Sequence, residues 1–248
     1  MYHLYQALLL ILLLVAGPAH AGLIFTIEAP GVQSSLVEGD KVIENFDDWS
    51  KGVISSNQSA NFGTYYVEGK PKIYSARLWG GAGGYGNYMF VSPKHRSSIT
   101  LELLEPAGYF GFWWSAGDHG NRLKVNTLSE EFDFTTSTIF DSLGNLAPYK
   151  GNPTDRFKGQ NPGQPYGFIN LFALSDDFKI ESIMFYGSNF ETDNHTIIRE
   201  IQNPTGTTIT SLASTNVTTI PEPSSLGLFG VCLILIIYMF NRRIISLD

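Results

Sequence analysis

The chain has 248 residues, of which 43% are hydrophobic and 16% charged, with a formal net charge of −7 and one cysteine. An acidic chain with dispersed lysines and arginines lacks the basic face that nucleic acid or anionic lipid requires, so neither is expected as a partner. A single cysteine also rules out an intramolecular disulfide framework.

At the amino end, residues 7–16 form an unbroken apolar stretch, broken by Gly17-Pro18 and followed by Ala19-His20-Ala21. This is the pattern of a secretory signal peptide, with cleavage expected after Ala21. Residues 1–21 are assigned to it, although the segment before the apolar run holds no Lys or Arg, only His3 and the amino terminus.

Residues 22–204 read as one all-β ectodomain. Runs rich in β-branched and aromatic residues recur between Gly, Pro, Asn and Asp clusters, at 23–27, 61–67, 72–78, 87–91, 98–104, 109–115, 122–126, 131–135, 167–174, 178–186 and 195–200. Several alternate with the period of a strand. Ile99, Leu101 and Leu103 share one face of their run, and Phe110, Phe112 and Trp114 share one face of theirs. Helix is expected only in short pieces near 46–49 and 137–143. Many strands and little helix predict two packed sheets, a jelly-roll-like β-sandwich long enough to bury a core without disulfides.

Two segments interrupt the rhythm. Residues 80–86 are almost all glycine, yet they open no helix and lack the Lys-Ser/Thr of a phosphate loop, so a tight backbone connection is expected. Residues 144–165 are aperiodic and rich in Pro and Gly. Two readings stay open there: an ordered loop anchored across a sheet by Tyr149 and Phe157, or disorder. Residues 205–219 are rich in Ser and Thr and carry no charge, which fits a linker or a last, poorly packed strand.

The carboxyl end, residues 220–248, has three parts: Pro221-Glu222-Pro223, an apolar run at 226–240, and Arg242-Arg243. Fifteen residues make about 22 Å of helix, short for a ~30 Å hydrocarbon core unless the arginines snorkel. The two prolines hold Glu222 extended just ahead of the apolar run, a form a protease can read. With the amino end exported and the arginines retained inside, residues 22–220 are expected outside the cytoplasm.

This order and spacing resemble the PEP-CTERM sorting signal of Gram-negative bacteria that make exopolysaccharide. The resemblance implies recognition of Pro221, Glu222 and Pro223 by an exosortase and removal of the transmembrane helix, with Arg242 and Arg243 lost alongside Cys232. The phrases at 26–32, 79–88, 109–121 (YFGFWWSAGDHGN), 149–153 and 190–196 (FETDNHT) are also similar to a family of exosortase-dependent surface proteins. That likeness implies a sandwich fold and an envelope destination, and it brings no reaction with it.

Chemistry must come from the residues. Ser115, Asp118 and His195 can be drawn as a hydrolase triple, but neither a nucleophile elbow nor a zinc motif is present, and no catalytic residue is assigned. Asp118, Asn121, Glu191, Asp193 and Asn194 supply hard oxygens in two clusters, a candidate calcium site. Tyr109 and Trp113 fall on the pleat opposite Phe110, Phe112 and Trp114, which makes them the candidate carbohydrate contact. Three readings follow: a non-enzymatic exported surface or biofilm-matrix protein, a binding module for exopolysaccharide, and a secreted hydrolase.

Overall fold

The computed structural model describes residues 22–92 and 97–209, so the signal peptide, the sorting segment and residues 210–219 lie outside the described residues. Two antiparallel sheets make up the domain. The nine-stranded sheet runs β15 (Thr207–Thr208), β1 (Leu23–Ile27), β12 (Gly167–Ala173), β9 (Tyr109–Ser115), β14 (Phe190–Ile198), β7 (Asn87–Val91), β6 (Lys72–Ser75) and β3 (Gly52–Val53), with β2 (Val42–Glu44) also paired to β14. The six-stranded sheet runs β11 (Glu131–Thr135), β10 (Asn121–Thr127), β13 (Ile180–Gly187), β8 (Ser98–Ala107), β5 (Gly63–Glu68) and β4 (Gln58–Ala60).

Alternation decides what fills the space between the sheets. Phe110, Phe112 and Trp114 from β9 meet Ile99 and Leu101 from β8, Leu123 and Val125 from β10, and Ile183 and Phe185 from β13 in one buried core. Each such side chain contributes roughly 1.5–3 kcal/mol by leaving water. Aromatic contacts set the packing: Trp114 stacks on Phe190 at 4.5 Å between ring centroids, and Phe112 meets Phe185 edge-on at 5.5 Å.

The central strands β9 and β12 are buried along their whole length, on both faces. Their uninterrupted apolar sequences reflect a second layer outside the nine-stranded sheet. Residues 144–165 supply much of it as an ordered loop. Lys150 bridges to Pro165, Tyr149 Oη donates to the Glu28 carbonyl at 3.0 Å, and Tyr166 Oη donates to the Leu78 carbonyl at 2.8 Å.

Some expectations need correction. Residues 46–49 form a turn closed by Trp49 N–H on the Phe46 carbonyl, not a helix. The last long strand begins at Phe190, five residues before the predicted start, because polar positions covered by the loop read as exposed turn residues. The linker also starts later than residue 205: Thr207 and Thr208 pair with Ile27 and Thr26, and Ile209 is buried.

Candidate functional site

The register between β9 and β14 determines which candidate residues meet. Ser115 lies opposite Glu191, Trp114 opposite Thr192, and Trp113 opposite Asp193. Directly opposed residues share a face, so Ser115, Glu191, Trp113 and Asp193 point outward while Trp114 and Thr192 point into the core. The register then slips between Asp193 and Thr196. Asn194 takes φ +51° within this bulge, a left-handed conformation that Asn tolerates better than most residues. The bulge turns His195 inward beside Thr192.

His195 is consequently a core residue. Its ring sits 2.9 Å from Tyr65 Oη through Nδ1 and 2.8 Å from Thr192 Oγ1 through Nε2, stacked on Phe185 at 4.7 Å. Full burial pushes its pKa down to about 3, so the ring is neutral. The sheet itself therefore divides the drawn triple: His195 lies on the core side, Ser115 on the outer side.

The calcium candidates do not form one open set of oxygens, and here the expectation is corrected. Asn121 Oδ1 accepts from Trp114 Nε1 (3.0 Å) and from the Asp118 N–H (2.9 Å), while its amide donates to the Ser188 carbonyl. The Asp118 carboxylate accepts from the side-chain amides of Gln164 and Asn189. Asp193 accepts from the Ala82 N–H (2.8 Å) and the Asn194 N–H (2.7 Å), and Asn194 donates to the Gln33 carbonyl. These oxygens brace turns and loops, and no group of three or more His, Cys, Asp or Glu side chains able to hold a metal occurs among the described residues.

Glu191 is the exception. Its Oε2 and the facing Ser115 Oγ are the buried side-chain polar atoms without a hydrogen-bond partner among the described residues. Burial raises the Glu191 pKa well above the ordinary carboxyl range, the neighbouring Asp118 adds to the rise, and Arg77 opposes it. Asp193 is also pushed up by burial, partly offset by the two N–H donors it accepts.

The carbohydrate candidates are corrected as well. Trp113 is 1% exposed, packed with Ala116, Tyr166 and Phe168 under the long loop. Tyr109 is 0% exposed, its hydroxyl 2.7 Å from Asn170 Oδ1 and 2.8 Å from Ser35 Oγ. Gly111 makes that placement feasible, since a Cβ there would come within 2.1 Å of Tyr109 Oη. The alternation places both residues on the correct pleat, but that pleat faces protein. Among the described residues the exposed aromatic side chains are Tyr66, Trp79, which precedes the glycine run at 80–86, and Tyr85, which lies within it. Adjacent glycine was the available signal for Trp79 and Tyr85, because side chains beside glycines in a tight loop have few neighbours to cover them.

A cavity of about 200 Å³ opens between Asp118 and the long loop, lined by Asp118, His119, Thr136, Phe140, Lys150 and Gln164. That is smaller than the ~300–1,000 Å³ usual for small-molecule sites.

The fold and termini define an antiparallel β-sandwich protein addressed by a tail signal. Residues 219–243 match the PEP-CTERM protein-sorting motif, and the chain carries that motif. The motif implies exosortase-dependent export to the cell surface. No curated protein matches the chain. Solved structures with some similarity include the catalytic unit of a GH87 α-1,3-glucanase from Streptomyces thermodiastaticus, at TM-score 0.31 and 11% identity, covering 68% of this chain and 28% of that one. A GH87 α-1,3-glucanase catalytic domain in complex with nigerose scores 0.33 at 11% identity, covering 68% and 30%. The family 11 carbohydrate-binding module of a cellulosomal cellulase from Clostridium thermocellum scores 0.25 at 12% identity, covering 67% and 100%. The chain spans less than a third of the glucanase units it matches, and similarity of this size assigns no activity to it.

Proposed function

We propose that this is an exported, exosortase-processed surface or extracellular-matrix protein with a structural role in the envelope or biofilm, acting without turnover. In this reading a jelly-roll-like sandwich is the exported body, and residues 226–240 are the helix that holds the precursor in the membrane until cleavage. The observation that carries the reading is the sorting motif at 219–243. The domain agrees with it, because Asp118, Asn121, Asp193 and His195 are engaged in bracing the fold.

The test is to replace Pro221, Glu222 and Pro223 together with alanine in the native host. The variant is expected to accumulate in the membrane fraction at precursor mass, while the unaltered protein appears at the surface at lower mass. Identical mass and distribution for the two would overturn the reading.

A further inference from the structure

The loop at residues 77–86 differs from the rest of the surface. Among the described residues the exposed aromatic side chains are Tyr66, Trp79 (41%) and Tyr85 (72%), and two of the three stand on this one loop. The loop is pinned. The Ala82 N–H donates to Asp193 Oδ2 at 2.8 Å and the Gly83 N–H to Gln33 Oε1 at 2.6 Å. The Leu78 carbonyl accepts from Asn152 Nδ2 at 2.9 Å and Tyr166 Oη at 2.8 Å. Rings held in place this way lose little freedom when a ligand docks.

Each exposed ring also has a guanidinium beside it. Arg77 lies 5.1 Å from the Trp79 ring centroid and 4.0 Å from that of Tyr74, and Arg156 lies 5.8 Å from Tyr85 and 5.1 Å from Phe157. Among the described residues the ion pairs use Arg122, Lys124, Lys179 and Arg199, so neither Arg77 nor Arg156 is neutralised by a carboxylate in contact. Of the nearby acids, Asp155 adjoins Arg156 in sequence, and Asp47 already accepts from the Asn87 N–H (2.7 Å) and Asn45 Nδ2 (3.1 Å). The buried Glu191 feels the charge of Arg77 without an ion-pair contact, while Arg77 Nε donates to Tyr88 Oη at 2.7 Å. None of the exposed aliphatic side chains falls within 77–86 or 152–158. Rings alternating with cations that no carboxylate contacts fit a ligand that alternates apolar C–H faces with negative charge; a protein partner would more often find a continuous apolar patch here.

We infer that the 77–86 loop, with Arg156, is a binding site for an acidic polysaccharide. Trp79 and Tyr85 stack on sugar rings, and Arg77 and Arg156 pair with uronate carboxylates. The site needs the proposed outward placement of the domain only for access to its ligand; binding by the purified protein tests the site independently of sorting.

The experiment titrates the full-length chain in neutral detergent with polygalacturonate, with dextran as the uncharged counterpart, followed by calorimetry and tryptophan emission. Polygalacturonate is expected to bind and to weaken with added salt, and dextran to bind at least about tenfold more weakly. Trp79→Ala and Tyr85→Ala are each expected to lose about tenfold or more in affinity at unchanged melting temperature. Trp79→Phe should keep binding but lose the ligand-induced emission change. Absence of polygalacturonate binding, equal binding of dextran, or undiminished affinity in a Trp79→Ala/Tyr85→Ala double variant would each overturn the inference. Should Trp79→Ala unfold, Tyr85→Ala decides alone, since that ring is the more exposed of the two.

Discussion

Glu191 and His195 sit four residues apart on one strand, face opposite sides of the sheet, and respond to pH in opposite senses. His195 has a folded pKa of about 3 against an ordinary 6.5, so its contribution to stability is present above about pH 6.5 and is lost as pH falls. Glu191 has a folded pKa above its ordinary value, so its contribution is present at low pH and is lost as pH rises through the raised value. A Glu191→Gln variant removes only the second effect. Its melting temperature is expected to match the unaltered protein near pH 4 and to exceed it increasingly toward neutrality. A stability difference constant across that range would contradict the assignment. The strand period foretold the shared face of Trp113 and Tyr109, but not the layer that covers them, and Glu191 lay outside the expected strand. The inward face of His195 was not legible for a different reason: one left-handed Asn194 shifts the register, and a two-residue periodicity cannot foresee a bulge.

At the scale of elements, residues 144–165 are the part of the fold that most depends on individual side-chain bonds. Asn152 is 3% exposed and central to them, donating to the Leu78 carbonyl and accepting from the Thr154 N–H at 2.9 Å and Thr154 Oγ1 at 2.7 Å. Asn152→Ala leaves the buried Thr154 N–H and hydroxyl without their acceptor, while the Leu78 carbonyl keeps Tyr166 Oη, a loss of roughly 1–3 kcal/mol. The loss should be local. Hydrogen exchange is expected to speed up at the amides of Gly151, Gly159 and Tyr166, which the folded loop bonds, while the β9 amides stay protected. Uniform acceleration across both would show that the loop and sheet open as one unit. Tyr149 and Phe157 hinted that this segment was ordered, and Tyr149 is the one of the two that is buried, whereas strands of two or three residues such as β2, β3 and β4 are too short to show any period. Residues 205–219 were open to a last, poorly packed strand, and Thr207 and Thr208 form a short one beside β1, although only Ile209 next to them is apolar enough to mark it.

For the whole molecule, the described domain holds itself together by its double-layered aromatic core, and the one cysteine, Cys232, lies in the segment the sorting motif covers. The last described strand, β15, pairs with β1 at the edge of the nine-stranded sheet. The tail was the most legible part of the sequence, since proline, apolar length and terminal arginines act through local chemistry alone. The purpose of the body was the least legible, since it depends on which faces the loops cover. The central claim is that the chain is exported and then cut, and mass spectrometry of protein extracted from the cell surface tests it most directly. The account predicts an amino terminus at Gly22 and no peptide beyond about Ser225. Mature surface protein that still carries Arg242 and Arg243 would contradict it.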